Sequence, residues 1–389
     1  MSRAFLSLAA VLALSTTVTF GQQFPFGVHR YQLGAREGNV RTIGLDSTGS
    51  RVALCTVGPD PTYGRIYDAR SWRYGETIEP VPNPLGASRD YMDVDAALSA
   101  YVGGRTNQFL GTLEAVYDRV GQAPLFLGVS DGFTDSFANR ISRNGDIVFG
   151  YDYRYEGLGT IYNQPFRWTQ AEGRQDLGHA TPGALYTRME AISADGAVGI
   201  GYSGGAGVGA AFRWTMETGY TLLQAAPGGR TISAYDVTPD GNIIVGAASD
   251  GTNIGAAIWR DVTQPPQVLS QWASSLAEFV SQDARIVAGR GSPGASGTPG
   301  SRGRAFIWTS ETGMVSAIDY LPSIGVILPP GATIDNFNYM SDDGTVLGCV
   351  IHYPGATVGA LIVIPAPASA GLCLLACGLL ATPRRRRLT

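Results

Sequence analysis

The sequence has 389 residues, of which 44% are hydrophobic and 15% charged, with a formal net charge of −4 at pH 7. It contains no lysine, which excludes lysine nucleophiles, Schiff bases and lysine-dependent phosphate loops. Between residues 22 and 364 there are 23 arginines against 32 acidic residues, a net of −9. This balance argues against nucleic-acid binding, which requires a basic face.

The first residues have the pattern of a secretory signal peptide. Arg3 precedes an apolar run over residues 4–14, and Thr19-Phe20-Gly21 supplies small residues at the −3 and −1 positions of a cleavage site before Gln22. The run is too short to span a membrane as a helix on its own. We therefore predict a signal peptide over residues 1–21; the alternative is a buried N-terminal helix.

A repeat follows, in which a strand-like run meets an Asp/Asn-Gly turn and then a second apolar run. The clearest copies are residues 141–150 and 237–246. The turns fall near residues 49, 98, 145, 196, 241, 284 and 344, with Leu98 and Ala284 standing where glycine is expected. The spacings, about 43 to 60 residues, match the blade repeats of known propellers.

One full period contains four strand-like segments joined by tight turns. They are residues 189–193, 197–202, 210–215 and 220–223. Four antiparallel strands in up-and-down order are typical of a propeller blade. The sequence therefore predicts an all-β, seven-bladed β-propeller over residues 22–364, with a β-solenoid or an open sandwich array as alternatives.

The two ends of the repeat region complement each other. The last unit lacks a fourth strand because the repeat pattern ends at Ile364, whereas residues 28–34 form a surplus strand at the N-terminus. We predict that Gly27 to Leu33 pairs beside Gly359 to Ile364, which closes the ring without a long exposed edge.

Aromatic residues fall into a repeated set and a non-repeated set. The repeated tryptophans are predicted to pack between blades; they are Trp72, Trp168, Trp214, Trp259 and Trp308. The non-repeated tyrosines are placed in a long loop between strands, and they are Tyr151, Tyr153, Tyr155 and Tyr162. These four are the candidate ligand-binding residues, since loop aromatics can stack on sugars or on a partner surface; the alternative is that they fold back on the ring.

Motifs for catalysis have little support. Residues 128–132 and 201–205 match the Gly-x-Ser-x-Gly nucleophile pattern, but neither match leads into the helix that this motif requires. We interpret both as chance matches in a glycine-rich chain, and no catalytic residue is assigned.

Metal and cofactor sites have little support either. The Asp-Gly turns lack the alternating spacing of a calcium loop, and His29, His179 and His352 are far apart in the sequence. No metal or cofactor is therefore assigned. Cys55 and Cys349 lie in the first and last blades and are expected to remain free, because facing sheets are too far apart for a disulfide.

The last residues form three parts in a fixed order: Pro365-Ala366-Pro367, an apolar segment over residues 370–381, and a basic block formed by Arg384, Arg385, Arg386 and Arg387. This layout resembles the bacterial PEP-CTERM sorting tail, with Ala366 where that family has Glu. The resemblance implies an exosortase-type processing enzyme as a partner. It also implies that residues 365–389 include a short transmembrane segment, which would stay in the membrane only transiently. The positive-inside rule places the arginines on the cytoplasmic side. A plain tail anchor is the alternative.

The repeats over about residues 137–364 also resemble the extracellular HAF repeat family. Ala211-Phe212 and Ala305-Phe306 keep two letters of its His-Ala-Phe strand start, ahead of a turn and a Val-Gly run. The resemblance implies export and this fold, but no reaction.

Two functions follow from these features. The first is an exported, non-enzymatic propeller at the cell surface or in the extracellular matrix, which binds a glycan or protein partner. The second is a secreted hydrolase or lyase that acts on polysaccharide. An enzyme requires acidic groups with shifted pKa values gathered at the central channel, and this property separates the two.

Overall fold

The computed structural model describes residues 26–30, 40–58, 66–73, 79–80, 89–106, 112–157, 160–205, 208–269, 272–293 and 303–365. Within these ranges the chain forms 28 strands and one short helix. The predicted signal peptide (1–21) and residues 366–389 of the predicted sorting segment lie outside the described residues.

The strands fall into seven groups of four, which we call units 1 to 7. Unit 1 contains β2 (Val40–Leu45), β3 (Arg51–Gly58), β4 (Ile66–Arg73) and β5 (Glu79–Pro80); unit 2 contains β6 (Arg89–Val94), β7 (Ala100–Thr106), β8 (Leu113–Arg119) and β9 (Leu125–Phe126). Unit 3 contains β10 (Asp135–Ile141), β11 (Ile147–Glu156), β12 (Thr160–Thr169) and β13 (Gly173–Asp176); unit 4 contains β14 (Tyr186–Ile192), β15 (Val198–Gly205), β16 (Val208–Thr215) and β17 (Gly219–Leu222). Unit 5 contains β18 (Arg230–Val237), β19 (Ile244–Ser249), β20 (Ile254–Trp259) and β21 (Gln267–Val268); unit 6 contains β22 (Ser274–Val280), β23 (Ile286–Ser292), β24 (Arg304–Thr309) and β25 (Gly313–Ser316). Unit 7 contains β26 (Thr333–Met340), β27 (Val346–Tyr353), β28 (Ala356–Val363) and, from the N-terminus, β1 (Gly27–Arg30).

The units form a closed ring in which each first strand lies at the centre. Every unit is an antiparallel meander, consecutive units contact each other, and β2 of unit 1 contacts β26, β27 and β28 of unit 7. As the sequence predicted, β1 pairs antiparallel with β28, from Gly27 opposite Val363 to Arg30 opposite Ala360. The predicted pairing of residues 31–33 lies outside the described residues. Because of this pairing, β28 does not present an unpaired edge there.

The turn between the first and second strands of each unit is held by a side chain. In unit 4 the Ser193 hydroxyl accepts the N–H of Val198 at 3.0 Å and donates to Asp195 at 2.6 Å, while the N–H of Gly196 donates to the Ser193 carbonyl. The turn then needs positive φ, which glycine adopts without strain. Leu98 and Ala284, the two non-glycine residues at this position, have φ of 52° and are the only described non-glycine residues with positive φ.

Each first strand carries a β-bulge three residues before the residue that begins the turn. The bulge brings a carbonyl of the first strand close to the second strand, and a glycine is then required there. A Cβ on Gly201 would lie 1.9 Å from the Arg188 carbonyl oxygen, and one on Gly289 would lie 2.0 Å from that of Leu276. This close approach explains why a glycine recurs in the second strand of most units.

The hydrophobic core lies between units. The five repeated tryptophans are buried at equivalent positions of the third strands, as predicted, and Trp259 is fully buried with its ring N–H donated to the Gln224 carbonyl at 2.8 Å. Phe166, Phe212 and Phe306 are also fully buried. Repetition of these side chains means that every interface is packed in the same way, which is what a ring of similar units needs.

One element was not expected from the sequence. A seven-residue helix, α1 (Ala317–Ser323), follows β25 in the connection to unit 7. Its buried residues Ala317 and Leu321 join the core of units 6 and 7. A helix this short gives no sustained helical period in the sequence, so tertiary packing rather than local pattern accounts for it.

Candidate functional site

An axial channel with a volume of about 710 Å³ runs between the first strands. Its wall consists mainly of the bulge residues and the residues that follow them. A bulge redirects side chains that would otherwise alternate along the strand, so two neighbouring residues of one strand can contribute to the wall. All seven units contribute to this channel.

The side chains of the wall do not repeat, although the backbone does. The residues directly after the bulge are, in ring order, Gly44, Asp93, Arg140, Ala191, Asp236, Phe279 and Tyr339, and all seven line the cavity. The bulge residues are Ile43, Met92, Asn139, Glu190, Tyr235, Glu278 and Asn338. The bulge residues and the residues directly after them therefore include four carboxylates and one arginine.

Two of the carboxylates link neighbouring units. Asp93 accepts the N–H of Val94 in its own strand at 2.9 Å and that of Ile141 in unit 3 at 3.0 Å. Asp236 accepts the N–H of Val237 at 2.9 Å and that of Val280 in unit 6 at 2.8 Å. Each carboxylate thus satisfies backbone donors that the bulged strands leave unpaired.

Burial raises the pKa of both carboxyl groups. Loss of hydration raises the pKa of Asp93 to about 6 and that of Asp236 to about 7, while the positive charge of Arg140 and the backbone N–H donors oppose the shift in both. No motif or repeat in the sequence marks either residue. Both are acids that lie two residues before the residue that begins the turn. This position faces the channel only because of the bulge, so the sequence alone does not predict a channel acid there.

Glu278 is the third shifted carboxylate of the wall. Burial raises its pKa, and the Arg290 guanidinium opposes that shift through an ion pair of 3.0 Å to Oε1. Its other oxygen, Oε2, is buried and has no hydrogen-bond partner. The channel therefore contains an acceptor that a ligand or water can satisfy.

The turns form the rim at one end of the channel. A series of backbone hydrogen bonds joins consecutive turns: Ser47 N–H to Ala96, Ala96 to Arg143, Arg143 to Ala194 and Ala194 to Pro239. Pro239 has no N–H and cannot continue the series to unit 6. At the same rim Arg143 forms an ion pair with Asp342, so the two charges at this end compensate each other.

The four candidate tyrosines lie in strands, and their placement in a loop is wrong. Strands β11 and β12 pair as a hairpin over ten residues, from Ile147 opposite Thr169 to Glu156 opposite Thr160, which is the longest pairing among the described strands. The long apolar and aromatic run sustains strand pairing where a loop was expected.

The hairpin divides the tyrosines between its two faces. Tyr151, Tyr153 and Tyr155 share one face, with ring centroids 6.1 and 5.7 Å apart, and Arg188 of unit 4 lies 5.0 Å from the Tyr151 ring. Tyr162 lies on the other face, where Arg154 stacks on its ring at 4.7 Å. Only three of the four are therefore brought together.

The tip of the hairpin is the exposed part. Tyr155 is 66% exposed, and Ile161, directly opposite it, is 43% exposed. Tyr151 and Tyr153 are half-buried beneath them. The ladder of rings stiffens the hairpin and presents one aromatic and one aliphatic side chain to solvent.

The two Gly-x-Ser-x-Gly matches do not form nucleophile turns. Ser203 is fully buried inside β15, with hydrogen bonds to Thr181 and Thr187, and Thr187 contacts His179. Ser130 precedes β10 and donates to Asp176 at 2.8 Å. Neither serine begins a helix, and Ser203 is closed to substrate.

Among the described residues, no group of three His, Cys, Asp or Glu side chains is placed to hold a metal ion. Cys349 is a buried free thiol, so it does not bond to Cys55, which is also buried. Of the predicted sorting motif only Pro365 is described, since Ala366, Pro367 and the four arginines lie outside. In the described part of the chain, no helix is long and apolar enough to cross a membrane.

Comparison with known proteins identifies the fold. No protein-family model and no curated protein sequence matches the chain. Puromycin hydrolase is 12% identical with a TM-score of 0.56, over 87% of this chain and 54% of that one, so the chain spans about half its length. Oligogalacturonate lyase from Vibrio parahaemolyticus is 8% identical with a TM-score of 0.56, over 88% of this chain and 98% of that one. TolB from Acinetobacter baumannii is 11% identical with a TM-score of 0.41, over 80% and 79%. Together with the closed ring of four-stranded units, the likenesses to puromycin hydrolase and oligogalacturonate lyase show a β-propeller fold.

Proposed function

We propose that this chain is an exported, non-enzymatic, seven-bladed β-propeller at the cell surface or in the extracellular matrix, which binds a glycan or protein partner. The observation that carries the proposal is the tip of the β11–β12 hairpin, where Tyr155 and Ile161 are exposed on rigidly paired strands. Large apolar side chains held rigidly in solvent gain contact area in a complex at little cost in conformational entropy.

Asp93 and Asp236 meet the condition of shifted pKa values at the channel, but their backbone contacts give them a role in the fold. Both oxygens of Asp93 and of Asp236 already accept backbone N–H groups from two neighbouring units. Their position is thereby explained by the ring itself, since without them these donors would remain unpaired. The hairpin tip has no such role in the fold.

The cellular address is part of the same proposal and rests on the sequence. Residues 1–21 direct export as a signal peptide, and residues 365–389 act as a PEP-CTERM-like tail that an exosortase-type enzyme processes. The arginines Arg384–Arg387 hold the tail at the cytoplasmic side, and the apolar segment before them resides in the membrane transiently. The HAF-type repeats favour the same extracellular setting.

The test measures binding to extracellular material. The purified chain is incubated with the exopolysaccharide and with the matrix proteins of the producing cell, and co-sedimentation is measured for each. The double substitution Tyr155→Ser with Ile161→Ser is expected to reduce binding at least tenfold, the loss typical of contact residues worth above 1 kcal/mol. Met216→Ser, which changes a residue 57% exposed on another turn, is the matched control and should bind normally. Equal binding of all three proteins would contradict the proposal.

A second candidate function is supported by one observation. The pKa values of Asp93 and Asp236, raised to about 6 and about 7, are in the range suited to general acid–base chemistry near neutral pH. A polysaccharide hydrolase or lyase would use this pair at the channel. Release of unsaturated or reducing ends from a panel of polysaccharides, abolished by Asp236→Asn, would establish it; no release from any polysaccharide would remove it.

A further inference from the structure

An exposed apolar groove lies in the connection between units 6 and 7. Its volume is about 460 Å³, and it is lined by α1 and the segment that follows, including Ile318, Pro322, Ile327, Leu328 and Pro329. Ile327 is 87% exposed, the largest exposure among the described large hydrophobic residues. A contiguous apolar surface of this kind marks an interaction site, because water contact there is unfavourable.

Both ends of the described chain leave the fold beside this groove. Gly27 pairs with Val363, two residues before Pro365, the last residue described. The ring of Phe26, itself 50% exposed, lies 3.8 Å from where a Cβ on Gly325 would be, and Gly325 lines the groove. Val28 packs against the same core as Leu321 and Val326. The residues that follow Pro365 in sequence therefore start next to the groove.

We infer that the apolar segment of residues 370–381 docks in this groove when the chain is in water. Ala370 lies five positions after Pro365, and an extended chain over that distance reaches about 17 Å, enough for the segment to return to the groove. The segment contains Leu372, Leu374, Leu375, Leu379 and Leu380 among small residues, a composition that matches an apolar lining.

The position of the groove also limits which occupant fits. The other apolar segment of the sequence, residues 4–14, lies within the expected signal peptide and would be absent after export. Asp319 of α1 lies between the lining residues Ile318 and Pro322, and Asp335 of β26 lies three residues after the lining residue Ala332. Their charge is opposite to that of the four arginines that follow residue 381. A docked tail keeps apolar side chains out of water until the membrane takes them up. This inference is independent of the ligand proposed for the hairpin.

Native cysteines of the tail allow a direct test. Ile327→Cys is introduced into the full chain with its C-terminus intact, mild oxidant is added, and disulfides are identified by peptide mass spectrometry. Because Cys55 and Cys349 are buried, the expected partners are the two remaining cysteines, Cys373 and Cys377. We expect an intramolecular bond from position 327 to one of these two, at least about tenfold more abundant than from the control Val268→Cys, because docking raises the effective concentration. Val268 is 42% exposed and belongs to unit 5.

Further experiments test whether another segment or a second molecule occupies the groove instead. A chain that starts at Gln22 should give the same bond; loss of the bond in that chain would assign the groove to residues 1–21 and overturn the inference. A disulfide mainly between two molecules would assign the groove to a second copy and would also overturn it. In a second variant, Ile327→Asp, maleimide should label the tail cysteines several-fold faster than in the parent chain; an unchanged rate would contradict docking.

Discussion

The interfaces between units and the wall of the axial channel belong to the same seven units, yet they differ in what repeats. At the interfaces the side chains recur, as shown by the buried Phe166, Phe212 and Phe306. In the wall, one backbone position holds glycine, aspartate, arginine, alanine, phenylalanine or tyrosine, according to the unit. Packing at the interfaces fixes the ring, and the wall is left free to differ in chemistry.

The turns show the same separation on a smaller scale. In unit 5, Thr238 and Asp240 hold a turn with Gly241 at φ 75°, and in unit 6, Ser281 and Asp283 hold the same turn with Ala284 at φ 52°. The polar side chains are thus the conserved part of the turn, and glycine is the preferred but replaceable part. Between these two units, the side chains that hydrogen-bond to the turn backbone are of the same kind, whereas the residue with positive φ differs.

The largest expected effect comes from breaking the ring at its closure. Deletion of residues 28–33 removes β1, which leaves β28 as an unpaired edge and uncovers the core where Val28 packs. We expect aggregation and loss of the cooperative thermal transition, measured by size-exclusion chromatography and circular dichroism. Truncation after Ile364 is the control: because the repeat pattern ends there, the shortened chain should keep a cooperative transition, lowered at most by the loss of the docked tail. A truncated protein that unfolds would show that the tail belongs to the fold.

The next effect tests the close approach at the bulge. Gly201→Ala places a methyl group 1.9 Å from a backbone oxygen, so the strands must separate. We expect a loss of about 3 kcal/mol in the free energy of unfolding, the upper range for overpacking. Gly157→Ala, where no atom lies within 4 Å of the new methyl group, should change stability by less than about 0.5 kcal/mol. Equal effects in urea titrations of the two variants would contradict the role of the bulge.

A third prediction concerns the channel wall and pH. The pKa values of Asp93 and Asp236 are raised from 3.8 to about 6 and about 7, so the folded state binds protons more tightly than the unfolded state. Their contribution is therefore fully present below about pH 4 and is lost as the pH rises through 6 and 7. The expected loss is on the order of 2 kcal/mol for each carboxyl between pH 4 and pH 8.

Urea denaturation across that pH range measures this loss. The double substitution Asp93→Asn with Asp236→Asn removes both titrating groups and should flatten the decline relative to the parent chain, although each asparagine loses one accepted N–H and lowers stability at every pH. A decline of equal slope in the parent and the variant would show that other groups cause it.

The smallest effect compares the two turns in which a residue other than glycine has positive φ. Ala284→Gly relieves positive φ but removes a buried methyl group, 3% exposed, so the two contributions nearly cancel within about 0.5 kcal/mol. Leu98→Gly has the same backbone effect but loses a whole buried side chain and should cost about 2 kcal/mol. Thermal denaturation of both variants checks the difference, and a larger cost for Ala284→Gly would contradict it.

Much of the fold could be predicted because it repeats. The seven turn positions, the packing of Trp72 and its equivalents, and the pairing of β1 with β28 are all visible as recurring or complementary patterns. The channel wall could not be predicted, since Asp93 and Asp236 are single acids whose position depends on a bulge that no residue type marks. The tyrosines of β11 and β12 break the repeat, which predicts a loop, whereas pairing over ten residues keeps both strands extended.

The change in amide hydrogen exchange on ligand binding tests most directly whether the binding site lies at the β11–β12 hairpin or in the axial channel. Exchange is measured on the full chain with and without the extracellular material that co-sediments with it. Our account predicts added protection in residues 151–156 and 160–162 of the hairpin, with the first strands β6 and β18 unchanged. Protection confined to residues 89–94 and 230–237 around Asp93 and Asp236, with the hairpin unaffected, would contradict the account and place the site in the channel.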